Sequence, residues 1–573
     1  MPQRERQQSV LTLLQDLHGL DPLKELFWSE LNYERVNDPL SRRTWTDTAA
    51  KALAEDPVLF AGGGTNNDFH VIYARLASNQ LLLGQERPVV SRLLRDHPYA
   101  LFIFSNAAQD RWHFLNVKYD EKSEKRRLFR RITVGPGERL RTASERMAML
   151  DLDSIQPELF GLSPLAIQSC HDDAFDVEAV TVEFFRQYAQ VFARVESLIK
   201  GFKGPERKRL FTQRLFNRLM FIAFIQKKGW LKFDSQTDYL PALWKAQEQD
   251  RSPEKNFYRD RLQPLFFLGL NTPTEVNLMR INRGGVLRPV IGDVPYLNGG
   301  LFEEDEDDRN ADVVVPDAAI STILHELFDR FNFTVTESTP LDIEVAVDPE
   351  MLGKVFEELV TGRHETGSYY TPKPVVSFMG REALKGYLES KLPDELPTAI
   401  EQFVEEHNPV GLRDPETVLN ALRSVEVCDP ACGSGAYLLG MLHELLDLRT
   451  CLFAMRNLDS ISAYERKLEI IQNNVYGVDL DPFAVNIARL RLWLSLAVDF
   501  EGENPPPLPN LDLKIEVGDS LTAPNPEEFE EQAFRDELIR RYREAKARYM
   551  TAHGGEKLTF RQQIIALKSE LTK

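Results

Sequence analysis

The stretch VEVCDPACGSGAYLLGML, Val425 to Leu442, decides how the last third of this chain folds. It reads as a strand end, a turn of small residues and an apolar helix. Val425 and Val427 bring a strand to Asp429, with Pro430 and Ala431 opening the turn. Gly433 and Gly435 let the backbone pass close to a ligand with no Cβ in the way. The helix from Ala436 points its N-terminus, a favoured place for anions, at the same spot. A nucleotide-type site at the carboxyl end of a parallel strand has this layout. The dinucleotide fingerprint is excluded, because Leu438 stands where its third glycine belongs. A helix N-terminus for a carboxylate and a strand-end acid for an amine suit an amino-acid ligand better than a pyrophosphate.

Two more strand ends follow. NNVYGVDLDP, from Asn473, gives a strand ending at Asp479, then Leu480 and a helix opened by Pro482. An acid there typically holds ribose hydroxyls. LKIEVGDSL, from Leu513, gives a short strand ending at Asp519 and Ser520. An acid at that place accepts from an exocyclic amine of adenine.

Composition sets the bounds. At 573 residues the chain suggests three or four domains, and the fold class expected is α/β multidomain. A net charge of −19 excludes a surface that is basic throughout, although local basic stretches remain. Arg194 to Lys232 holds eleven Lys/Arg against two acids, and Lys122 to Arg146 holds nine against three. Either is a solvated face or a surface for a polyanion. None of the four cysteines forms a CxxC pair, so no metal site is expected, and their scarcity fits a reducing compartment. The start MPQRERQQSV has no signal core, and no apolar run approaches the roughly 18 residues of a membrane span. A cytoplasmic protein is expected.

Four segments are expected. Residues 1–150 read as an α/β domain, with strands at Phe69–Leu76, Ala100–Ser105, Arg111–Tyr119 and Arg127–Val134 and a helix at Glu86–Asp96. Residues 151–355 read as a helical middle domain, in which the acid run Glu303–Asp308 is a solvated loop. Residues 356–525 alternate helix and strand as an incomplete Rossmann-like domain. Residues 526–573 read as a charged, protruding helical hairpin.

DPACGSG at Asp429, GVDLDP at Gly477 and GDSL at Gly518 resemble motifs I, II and III of S-adenosylmethionine-dependent DNA amino-methyltransferases. TGSYYTP at Thr366–Pro372 resembles their motif X, and its place ahead of motif I is similar to the gamma-class adenine-N6 order. LGKVFEELV, KKGWL and PYLNGGLF extend the likeness to large fused restriction-modification and phage-defence enzymes, of type IIG-like and BREX-like organisation, over residues 175–573. The resemblance implies S-adenosylmethionine as cofactor and double-stranded DNA as partner. It implies that Tyr370, Thr371 and Pro372 border the methionine moiety, and that Asp429, Pro430, Ala431, Gly433 and Gly435 hold its amino-acid part. It places ribose on Asp479, adenine against Leu480, and the adenine amine on Asp519 beside Ser520.

The family's base-accepting NPPY motif has no counterpart. NPPP at Asn504–Pro507 lies before the third strand, and Pro507 cannot stack on a base as tyrosine does. The expectation is therefore the cofactor-binding half of a DNA adenine-N6 methyltransferase, inactive alone, with no catalytic residue of its own. Strands four to seven, NPPY and target recognition would come from a second chain or be lost by truncation. The first strand's free edge would be a docking edge. The alternative is a non-catalytic subunit or remnant that binds cofactor or DNA and regulates a partner. In residues 1–150, Asn116-Val117-Lys118 with Asp68 upstream resembles a degenerate endonuclease motif, whose neutral Asn116 weakens metal binding.

Overall fold

The computed structural model describes residues 3–571 apart from 46, 82, 120–126, 159, 273–285, 299, 335–341, 345, 348–350, 354–370, 456–461, 523–531 and 553. The chain divides into two compact units. One comprises Met1–Tyr188 with Ile323–Asp348, the other Ala189–Thr322 with Pro349–Lys573. The fold is α/β and multidomain, with a strand-rich first unit and a second that joins helices to a small parallel sheet. Residues 151–355, expected as one helical domain, are shared between the two units.

The first unit is built on a seven-stranded sheet in sequence order. Its strands are β1 (Glu34–Pro39), β2 (Val58–Gly63), β3 (Phe69–Arg75), β4 (Ala100–Ser105), β5 (Trp112–Tyr119), β6 (Arg127–Val134) and β7 (Asp342–Glu344). β4, ALFIFS, is buried along its whole length, as an unbroken apolar run in mid-sheet should be. Phe102 and Phe104 of β4 share a core with Val89, Val90 and Leu93 of helix α1 (Leu83–Leu93). Asn116 does not stand open to a metal. Its amide donates to Asp172 at 2.7 Å and accepts from Gln168 at 2.9 Å, both on α2 (Pro164–Ala174).

In the second unit, β8 (Val427–Asp429), β9 (Val475–Asp479) and β10 (Ile515–Val517) form a parallel sheet in the order β10-β9-β8. Helices α3 (Pro205–Ile225), α4 (Lys373–Lys391), α5 (Pro415–Ser424), α6 (Ala436–Met455), α7 (Ala463–Asn473) and α8 (Pro482–Asp499) belong to the same unit. A hairpin of α9 (Gln532–Thr551) and α10 (Gly554–Leu571) follows.

Two expectations are corrected here. The acid run is not a solvated loop: Asp305 caps the short helix Glu306–Arg309, and Asp307 and Asp308 are buried. Asp307 pairs with Arg207 and Arg214, and both Nη atoms of Arg218 meet Asp308 at 2.9 Å. Like charges next to each other in sequence are stable here because α3 carries a matching arginine row at four- and seven-residue spacing. These three arginines of α3, part of the basic stretch read as a solvated face or a polyanion surface, are thus paired within the unit. The hairpin, expected to protrude, is docked. The Asn510 side chain donates to the carbonyls of Tyr549 at 2.7 Å and Ala552 at 3.2 Å, and Glu516 of β10 pairs with Lys568 at 2.8 Å.

One docking residue is poorly housed. Lys514 is buried, and its Nζ has no hydrogen-bond partner. It lies 3.5 Å from the centroid of the Tyr476 ring, which offsets part of the lost hydration. Burial first, then the neighbouring Lys546, push its ammonium down to about 7 from an ordinary 10.5. The unfolded chain therefore keeps a proton that the folded chain releases, and stability rises with pH between about 7 and 10.5. Lys514→Met is expected to raise the melting temperature most at pH 7 and below, and to flatten that rise. An unchanged pH profile in thermal melts would count against a buried charge here.

Candidate functional site

The three parallel strands end together, and their loops make one site. β8 delivers Asp429, β9 delivers Asp479, and the chain leaving β10 delivers Asp519 and Ser520. The turn from Pro430 passes through two left-handed glycines, Gly433 at φ 51° and Gly435 at φ 83°, before α6 begins. At Gly435 space is tight as well, because a Cβ would lie 3.0 Å from that of Ala488 on α8.

Asp479 stitches the site. Its Oδ2 accepts from the Gly433 amide at 2.8 Å and its Oδ1 from the Asp481 amide at 2.9 Å. Each oxygen retains a lone pair for a further donor such as a hydroxyl. The Gly518 amide donates to the Asp479 carbonyl at 2.9 Å, and Ser520 Oγ to the Pro430 carbonyl at 2.7 Å. The first and third loops are thereby tied across the end of the second strand.

Asp429 is the strained member. Its Oδ1 accepts from the Ala431 amide at 3.1 Å, and its Oδ2 is buried without a hydrogen-bond partner. Burial first pushes its carboxyl up, with the Asp479 charge adding to it and the Ala431 N–H opposing. A buried carboxylate oxygen with nothing to accept from calls for a cation or a donor. Asp519 is fully exposed, and the Leu521 amide at 3.0 Å helps hold its carboxyl down. Around the opening, Leu480, Val517 and Leu521 are exposed, with Leu480 at 72%. Apolar side chains so placed suit a flat ring.

The structure thus gathers Asp429, Pro430, Ala431, Gly433, Gly435, Asp479, Leu480, Asp519 and Ser520. Thr371 and Pro372 stand at the start of α4, with Pro372 as its N-cap. That helix lies close against α6: a Cβ on Gly440 would fall 2.1 Å from Val376. Tyr370 lies outside the described residues. Sequence reasoning passed over Asp481, whose carboxylate caps α8 through the Phe483 amide at 2.8 Å. An acid directly before a proline-opened helix is a cap signal. It also passed over Arg489 and Arg491 of α8, which donate to the carbonyls of Ile515 and Ser434. Arginine inside an apolar helix gives no signal of its partner.

Two protein-family models match this region. Residues 406–503 match the MmeI DNA-methyltransferase domain, and residues 473–569 match the Eco57I restriction-modification methylase. Residues 406–569 are therefore similar, in two overlapping stretches, to restriction-modification DNA methyltransferase domains. Over 337 residues, 55% of this chain and 27% of the relative, the sequence is 29% identical to a protein of Methanocaldococcus jannaschii named as a type II restriction enzyme and methyltransferase. DNA methyltransferase A of Bacillus subtilis is 21% identical over 54% of this chain and 30% of its own length. The chain thus spans less than a third of these curated relatives. Among solved structures, the type IIL restriction-modification enzyme MmeI in complex with DNA aligns over 61% of this chain and 40% of its own, with TM-score 0.38 and 16% identity. The DrdV–DNA complex aligns over 90% and 40%, with TM-score 0.27 and 11% identity.

Proposed function

We propose that this chain is the S-adenosylmethionine-binding part of a site-specific, gamma-class DNA adenine-N6 methyltransferase, acting in restriction-modification or phage defence in the cytoplasm. The observation that carries the reading is the pair of strand-end carboxylates, Asp429 and Asp479, joined through the Gly433 turn, with one oxygen of Asp429 buried and unpaired. The methionine ammonium supplies the cation that this oxygen lacks. Asp479 accepts the ribose hydroxyls, Leu480 backs the adenine, and Asp519 takes the adenine amine. When bound, the cofactor supplies an electrophilic methyl group for an amine of a flipped base. The chain's own residues orient that cofactor and keep its charged end dry.

Among the described residues β8 pairs only with β9, so its second edge is open to another strand. In this reading a partner segment completes that edge and brings the base-accepting NPPY motif and target recognition. Residues 1–150 serve as a degenerate nuclease-like domain, since the amide of Asn116 is committed to Asp172 and Gln168. Calorimetric titration of S-adenosylmethionine into the purified chain tests the reading. Micromolar binding is expected, with no DNA methylation until the partner segment is added. No binding at any pH between 6 and 9 would refute it.

A further inference from the structure

We infer that Arg491 is a positioning residue for the glycine turn, and that Gly353 fixes where its guanidinium sits. The inference rests on the reading of that turn as the cofactor cradle.

Arg491 lies on α8, 4% exposed, and its Nη1 donates to the Ser434 carbonyl at 2.7 Å. Ser434 is the residue between the two left-handed glycines. A peptide held between two such glycines has many conformations open to it, and a carbonyl clamped by a planar, permanently charged donor has few. Ala488, one turn earlier on α8, meets the next residue of the turn, Gly435. One helix face therefore grips the turn at two adjacent residues, sterically at Gly435 and by a charge-assisted bond at Ser434.

The guanidinium is itself held from behind. A Cβ on Gly353 would lie 2.8 Å from Arg491 Nη1 and 2.9 Å from its Cζ, so a side chain there would push the guanidinium aside. Gly353 is buried and helical, with no left-handed φ to explain the glycine. Glycine at this place leaves room for the close approach of the guanidinium. In sequence, Gly353 is the second residue of the phrase LGKVFEELV that leads to TGSYYTP. A contact chain thus runs from Gly353 through Arg491 to the Ser434 carbonyl, and it links the segment before the motif-X-like phrase to the turn at Asp429.

The test compares wild type with Arg491→Met, Arg491→Lys, Gly353→Ala and the double variant Arg491→Met/Gly353→Ala. S-adenosylmethionine affinity, melting temperature and hydrogen exchange at the Gly433 and Gly435 amides are measured on each. Arg491→Met leaves the Ser434 carbonyl without its donor, and Gly353→Ala displaces the donor. Each is expected to weaken affinity about tenfold and to speed exchange in the turn. Arg491→Lys should recover part of the loss. The double variant should bind no more weakly than Arg491→Met, since both changes act through one group. Unchanged affinity and exchange in both single variants would overturn the inference, even if their melting temperatures fell. Should Arg491→Met fail to fold, Gly353→Ala decides alone. If wild type binds no cofactor, the functional reading fails, and exchange in the turn still decides whether Arg491 positions it.

Discussion

Asp429→Asn is expected to raise the melting temperature of the free chain while weakening S-adenosylmethionine binding by about two orders of magnitude. Both effects have one cause. The wild-type carboxylate is half-buried, shares its surroundings with Asp479 and leaves the buried Oδ2 unpaired, so its charge is costly until a cation arrives. The amide keeps the acceptor for the Ala431 N–H and drops the charge. Its ligand loses a charge-assisted bond at the one buried oxygen, worth about 3 kcal/mol. The sign of the pH dependence follows. Because the folded carboxyl is raised, it keeps a proton that the unfolded chain gives up, and the free chain loses stability as pH rises from the ordinary Asp value to the raised one. Cofactor affinity runs the other way, falling as pH drops through the raised value. The asparagine variant should show neither trend. Thermal melts and titrations at several pH values decide it, and tight binding by Asp429→Asn would remove the carboxylate from the site.

Asp308→Ala should destabilise the second unit by about 3–5 kcal/mol. The Asp308 side chain is completely buried, and its partner Arg218 is 2% exposed. Removing the acid strands a guanidinium that also donates to the Leu301 and Glu303 carbonyls, and it leaves the Tyr258 hydroxyl without its acceptor. Burial alone pushes the Asp308 carboxyl up; Arg218 and its hydrogen bonds overcome that and hold it below the ordinary range. The stabilisation it gives is therefore present above the ordinary Asp value and lost as pH falls through the lowered one. Replacing both partners with Met and Leu should restore much of the loss, because no charge is then left unpaired. A double variant as unstable as Asp308→Ala would locate the effect in packing, which chemical denaturation of the three proteins would reveal.

The readable parts of the sequence were those that act locally. β3 to β6 are short runs of apolar, β-branched and aromatic residues, and the sheet has each of them. β1 is ERVNDP, mostly exposed, and its polar run hides an edge strand. β7 joins β6 by pairing Ile343 with Arg130, a parallel match across more than two hundred positions that leaves no pattern in either segment. Glycines before a helix and acids closing strands singled out Asp429, Gly433, Gly435, Asp479 and Asp519, which lie together at one end of the parallel sheet. Arg491 escaped because a buried arginine and a surface one look alike in a helix that is otherwise apolar. The acid run escaped for the same reason. Six carboxylates in a row signal water unless the arginines that meet them, some ninety positions earlier, are already known to face that way.

Asn510 holds both carbonyls at the end of α9 from 39 and 42 positions upstream. The hairpin's place is therefore set in part by one amide that precedes β10, alongside Glu516 and Asp512. A change at Asn510 would therefore release the end of α9 from a position that the hairpin's own sequence does not contain.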